Sequence, residues 1–169
     1  PLLRGQVVNL IMNDTTGLKL SSRLPDDFLD ILKDVKKIKT DAKFLFMATE
    51  KGLVKKVELD AFSNVRRSGL IAIKVKDDDR LIWTKPTSGK DQIILITAKG
   101  QSIRFKETDA RPMGRATAGV TGIRLKNSDA VSSMNVVNKA AAKSQRLLVV
   151  MSNGYGKQTP LAQYRLQHR

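Results

Sequence analysis

Phe44-Leu-Phe-Met-Ala-Thr-Glu-Lys-Gly52-Leu-Val-Lys-Lys56 is answered further along by Ile93-Ile-Leu-Ile-Thr-Ala-Lys-Gly100-Gln-Ser-Ile-Arg104. It is answered again by Leu147-Leu-Val-Val-Met-Ser-Asn-Gly154-Tyr-Gly-Lys157-Gln158. Each stretch is an apolar run, a turn closed by Gly, and a returning strand that carries cations. The three glycines stand 48 and then 54 residues apart (100 − 52 and 154 − 100). A strand-bearing repeat of about 40 to 50 residues is the signature of a propeller-like array. The expected fold class is therefore all-β: blades of four antiparallel strands in a partial array.

Working outward from Gly52, Lys43–Thr49 and Leu53–Leu59 read as a hairpin, because Gly supplies the positive φ of a tight reversal. Asp60–Gly69 is a polar connection. Leu70–Val75 and Arg80–Lys85 read as a third and a fourth strand around the turn Asp77-Asp78-Asp79, and Pro86–Asp91 as a loop. The order recurs with Gln92–Ala98, Gln101–Lys106, Thr121–Leu125 and Ala130–Val137, where Asn127-Ser128-Asp129 replaces the Asp turn. These patterns divide the chain into the end of a preceding blade (1–25), complete blades over 43–91 and 92–144, and the first half of another over 145–169. Between the first two, 26–42 breaks the pattern. Phe28, Leu29, Ile31, Leu32 and Val35 have helical spacing behind Pro25, so a short inserted helix is expected near 26–38. Its acidic first half suits a packing element. Pro1-Leu-Leu-Arg-Gly5 is neither a signal peptide nor an initiator Met, so the chain reads as part of something longer.

The 169 residues carry 31 Lys and Arg against 16 Asp and Glu, a formal charge of +15. An excess of this size implies a polyanionic partner, with nucleic acid well ahead of a membrane surface. The sequence contains no cysteine, which removes disulfides and zinc-thiolate sites and suits a cytoplasmic protein. No apolar run approaches the roughly 20 residues that cross a bilayer as a helix. From Ala130 onward there is no acidic residue. The cations gather after each Gly turn and along the long connections. Lys55, Lys56, Arg66 and Arg67 belong to the first blade. Arg104, Lys106, Arg111, Arg115 and Arg124 belong to the second, and Lys157 and Arg165 to the last. These eleven are the expected DNA contacts, lined up along one rim.

Aromatic content is only 5%, and Phe44, Phe46, Trp83 and Phe105 sit in apolar strands. A stacking platform for single strands is thus not indicated. The one helical segment lacks the character of a groove-reading helix. Duplex DNA held by its phosphates, with little base readout, fits better. Catalytic signals are weak. The single histidine, His168, is next to last. Gly114-Arg-Ala-Thr-Ala-Gly119-Val120 spaces its glycines like a phosphate loop, but Val120 stands where that loop needs Lys. Asp77–Asp79 reads as a solvated turn rather than a metal site, and neither Tyr155 nor Tyr164 has an activating base nearby.

Glu107-Thr-Asp-Ala-Arg111-Pro-Met-Gly114-Arg115-Ala-Thr-Ala-Gly119-Val-Thr-Gly122-Ile-Arg124-Leu125 closely resembles a hallmark stretch in the C-terminal domain of the DNA gyrase A subunit. Thr49–Phe62, followed by Arg66-Arg-Ser-Gly69-Leu-Ile-Ala-Ile73, resembles the same family's repeat. The topoisomerase IV A subunit shares this architecture. The resemblance implies a β-pinwheel whose blades exchange a strand, with duplex DNA wrapped around a basic perimeter in support of negative supercoiling. It implies two protein partners, the remainder of the A subunit, and the B subunit. The cleaving tyrosine, ATP and Mg would then belong to the full complex, and this chain would hold no cofactor and be no enzyme on its own. The family's Gln-Arg-Arg-Gly-Gly-Lys-Gly type box is absent from the sequence. A propeller scaffold for acidic protein partners is the competing reading.

Overall fold

The computed structural model describes residues 42–63, 70–126, 128–138, 144–150 and 154–169. The expected helix at 26–38, the blade end at 1–25, and Arg66 and Arg67 lie outside the described residues. The elements are antiparallel strands linked by turns and single-turn 3-10 helices. They are β1 (Phe44–Thr49), β2 (Leu53–Glu58), β3 (Leu81–Thr87), β4 (Gln92–Thr97), β5 (Ser102–Lys106), β6 (Val120–Thr121), β7 (Val131–Val137), β8 (Arg146–Val150) and β9 (Gly156–Pro160). They form three sheets, in the orders β3-β1-β2-β6, β5-β4-β7 and β8-β9.

The Gly hairpins are as expected. Gly52, Gly100 and Gly154 have φ of 86°, 81° and 87°. Gly52 N–H donates to the Thr49 carbonyl (3.1 Å) and Gly100 N–H to the Thr97 carbonyl (3.0 Å). At Gly52 a second constraint adds to the positive φ, since a Cβ there would come within 2.6 Å of the Ile123 carbonyl oxygen.

Ile123 belongs to the following repeat, and this is where the structure departs from a simple four-strand blade. The segment expected as a strand at Thr121–Leu125 is reduced to β6, Val120–Thr121. It pairs with the preceding sheet, Leu53 opposite Thr121 and Val54 opposite Val120. Gly122 N–H donates to the Gly52 carbonyl at 2.8 Å. The first sheet thus borrows its fourth strand from the next repeat, the exchange that the pinwheel resemblance implies. Leu70–Val75, expected as a third strand, is irregular backbone. The fourth strand runs on to Thr87 rather than ending at Lys85. Pro86 fits there because β3 is an edge strand, where a missing N–H breaks no ladder.

The sheets stack face to face. Phe46, Ala48 and Val54 of the first meet Ile93, Leu95, Phe105 and Met134 of the second in one buried cluster. On the other face of the second sheet, Ile94 and Val137 pack with Leu161, against which Leu147 and Tyr164 also lie. β4 is covered on both faces, which is why Ile93–Ile96 is an unbroken apolar run instead of an alternating one.

Candidate nucleic-acid interface

The connection Glu107–Val120 carries Arg111 and Arg115 of the candidate site. It leaves β5 through a 3-10 turn, Glu107–Asp109, and crosses to the edge of β2. There Pro112 bridges Lys56 in parallel, and Met113 N–H donates to the Lys56 carbonyl at 2.9 Å. Gly119, with φ 99°, lets the chain press onto β2; a Cβ would lie 2.6 Å from the Val54 carbonyl. The crossing recurs in the next repeat. Leu166 bridges Arg104 in parallel, and Gln167 N–H donates to the Arg104 carbonyl at 2.7 Å.

Arg111 and Arg165 immediately precede the two bridging residues, at matched positions of successive repeats, and both are exposed. Aligning Gly69–Arg80 with Gly119–Ala130 places Lys74 opposite Arg124 and Lys76 opposite Lys126; all four are exposed. Lys106 and Lys157 are exposed and Arg115 is half-buried. Among the described residues, none of Lys106, Arg111, Arg115, Arg124, Lys157 and Arg165 is held in an ion pair. Lys74 and Lys76 stand outside the set expected from the sequence. The alignment of the two Gly-to-turn segments is the sequence signal that picks them out.

Three of the expected surface cations are elsewhere. Lys55, Lys56 and Arg104 are 0%, 4% and 8% exposed, which removes their charged ends from any outer rim. Lys55 Nζ donates to the carbonyls of Ala72 (2.9 Å), Thr117 (2.8 Å) and Arg115. Lys56 Nζ donates to the Glu107 carbonyl (3.2 Å), lies 4.0 Å from the Glu107 carboxylate, and sits 4.9 Å from the centre of the Phe44 ring. Arg104 donates from Nε to Gln92 Oε1 (2.9 Å) and from Nη1 to the carbonyls of Leu161 (2.8 Å) and Tyr164 (3.1 Å). Burial pushes all three below their ordinary pKa values, and the Glu107 charge opposes the shift at Lys56. These cations bind one repeat to the next. A strand covered on both faces has no solvent side to give its polar residues.

The acidic turn is structural as well. Asp78 pairs with Lys51, and Asp79 Oδ1 accepts the backbone N–H of Lys51 (2.9 Å) and of Arg80 (2.8 Å). Asp129 repeats this with Lys99 (3.0 Å) and Ala130 (2.8 Å). Among the described residues, no three His, Cys, Asp or Glu side chains gather as metal ligands would. Among the same residues, no helix is long and apolar enough to cross a membrane. Gly114–Gly119 leads into a strand rather than a helix, so it lacks the setting of a phosphate loop.

The model of the DNA gyrase C-terminal domain, a beta-propeller, matches residues 43–88, 91–138 and 145–169. The chain belongs to this family. The DNA gyrase A subunit of Staphylococcus epidermidis is 36% identical over 170 aligned residues, covering 99% of this chain and 19% of the relative. The chain therefore spans about a fifth of the length of the curated relatives it matches. Among solved structures, the C-terminal domain of DNA topoisomerase IV superposes with a TM-score of 0.70 at 27% identity, over 78% of this chain and 40% of the other. A DNA gyrase A C-terminal domain does so with a TM-score of 0.60 at 30% identity, over 70% and 38%. This gyrase-family chain is accordingly an all-β pinwheel.

Proposed function

We propose that the chain binds duplex DNA along the edge built by its exchanged connections, without reading base sequence. The observation that supports this most is the recurrence of Arg111 and Arg165, and of Lys74 and Arg124, as exposed cations at matched positions. A duplex is itself a regular charge lattice, so a regular cationic edge can follow it. Each phosphate neutralised releases counterions and steepens the salt dependence of binding by about 0.9 log units per log unit of salt. Several such contacts offset the roughly 1–6 kcal/mol needed to bend a 20–30 bp segment by 40–90°.

As part of a gyrase A subunit, the domain would present the bent duplex for strand passage and negative supercoiling. ATP, Mg, the cleaving tyrosine and the B subunit would come from the rest of the complex. The function is then duplex binding in the cytoplasm, with no chemistry of this chain's own. The topoisomerase IV alternative, decatenation, is favoured by the higher TM-score to that enzyme's domain. The family model and the curated relatives favour gyrase.

Gel-shift titration of a linear duplex against salt tests the binding. Arg111→Glu/Arg115→Glu is expected to weaken all sequences alike and to flatten the salt slope by about two contacts. The Arg66/Arg67 pair, read from sequence alone, should behave in the same way. Unchanged affinity at low salt excludes the edge, and a shallow slope in the parent chain points to a protein-binding scaffold. A topology assay with the remaining subunits, on relaxed and on catenated circles, separates supercoiling from decatenation.

A further inference from the structure

Lys55 and Lys56 are consecutive on a strand, so their side chains leave on opposite faces. Lys56 reaches the start of the Glu107–Val120 connection, at the Glu107 carbonyl. Lys55 reaches its far part, at the carbonyls of Arg115 and Thr117, and spends its remaining donor on Ala72. An ammonium has three N–H donors, and all three are used. Between these attachments Met113 N–H is tied to the Lys56 carbonyl. One pair of lysines thus fastens the connection at Glu107, Met113, Arg115 and Thr117, so that Arg111 lies between two fastenings and Arg115 is itself one. A loose loop bearing two arginines would lose conformational freedom each time it gripped a phosphate row. A loop already tied down has lost it on folding.

We propose that Lys55 is a positioning residue for nucleic-acid binding. It never touches the duplex and acts on it only through Arg111 and Arg115, by fixing the connection that carries them. This rests on the reading of the cationic edge given above. The device is local to the first repeat, because the position matching Lys55 in the second is Ile103, an aliphatic side chain without donors.

Lys55→Met keeps the buried stem and removes the donors, and it separates the two claims. Without DNA, trypsin cleavage after Arg115 is expected to quicken at least tenfold; the parent rate in a folded variant overturns the positioning role. In salt titrations, Lys55→Met should flatten the slope by about two contacts, as Arg111→Ala/Arg115→Ala does, at about 0.9 log units per contact. The triple variant should be no flatter than the double. A further loss of one contact in the triple overturns the proposal, since Lys55 would then meet phosphate directly. If the double arginine variant itself leaves binding unchanged, the edge is not the binding surface, and the nucleic-acid role of Lys55 falls with it. The digestion arm then still reports whether Lys55 holds the connection. Should Lys55→Met fail to fold, Lys55→Gln retains two donors on a shorter arm, and an intermediate digestion rate is expected. A parent rate for that variant counts against the proposal.

Discussion

The two junctions between successive sheets share one backbone plan and differ in chemistry. In both, a cation near the end of a hairpin's second strand crosses to the 3-10 turn of the following repeat, at the carbonyl of Glu107 or of Leu161. In both, its neighbour is the first residue of the hairpin, Phe44 or Gln92. At the first junction the turn supplies a buried carboxylate. Glu107 accepts from the Thr87 hydroxyl (2.6 Å) and from the N–H groups of Gly89 (3.0 Å) and Asp91 (3.2 Å), facing Lys56. At the second, Leu161 occupies the matching place, and the Arg104 guanidinium is satisfied by neutral oxygens alone. The position of the cation is a property of the fold. Whether it needs a counter-charge depends on how many carbonyls it reaches.

The largest effect should follow from breaking the charged junction. Glu107→Ala leaves the Lys56 charge buried without its partner and three donors unpaired. An expected loss of about 3–5 kcal/mol would appear in the urea midpoint. A loss below about 1 kcal/mol would show that the carboxylate is dispensable. The neutral junction should respond less: Arg104→Met strands only neutral acceptors, at about 1–3 kcal/mol. Adding Gln92→Leu should recover part of that loss by removing the amide oxygen left unpaired beside the Leu161 and Tyr164 carbonyls, whereas Lys56→Met/Glu107→Ala should recover only the cost of the stranded ammonium, because Thr87, Gly89 and Asp91 still lack an acceptor. Equal behaviour of the two double variants would erase the distinction.

The smallest effect concerns the turns at the far end of the same two sheets. Glu50 N–H donates to the Arg80 carbonyl (2.8 Å) just as Ala98 N–H donates to the Ala130 carbonyl (2.9 Å). The first turn adds an ion pair, with Arg80 Nε 2.7 Å from Glu50 Oε2. The Arg80 hydrogen bond lowers the Glu50 pKa, and Lys51 lowers that of Asp78. A depressed carboxylate stabilises the fold above its ordinary pKa, and the contribution is lost as pH falls through the folded value. Amide protection near Glu50, taken relative to the intrinsic exchange rate at each pH, should therefore fall on acidification below about pH 4, and fall further than near Ala98, where Asp129 alone is held low by hydrogen bonds that outweigh its burial. Parallel responses would assign the effect to the sheets as a whole.

Much of the fold was legible in the chain. A Gly turn needs no tertiary context, and β4's unbroken apolar run already marks a strand covered on both faces. Leu70–Val75 and Thr121–Leu125 misled because alternation marks extended chain without naming the partner sheet. For the site, Arg111, Arg115 and Arg165 follow from position within the repeat. Lys55, Lys56 and Arg104 look like rim contacts in the sequence because charge is ordinarily solvated. A warning stood in the sequence, since Lys55 and Lys56 lie between Val54 and Val57 in a strand without a polar face.

Periodicity and charge, which are properties of residue order alone, determined that this chain is a repeating β array with a surplus of cations. Which cations meet solvent was decided only when the sheets stacked. A backbone carbonyl can satisfy an ammonium as well as water does, and where the next repeat's carbonyls fall depends on the strand it lends to its neighbour.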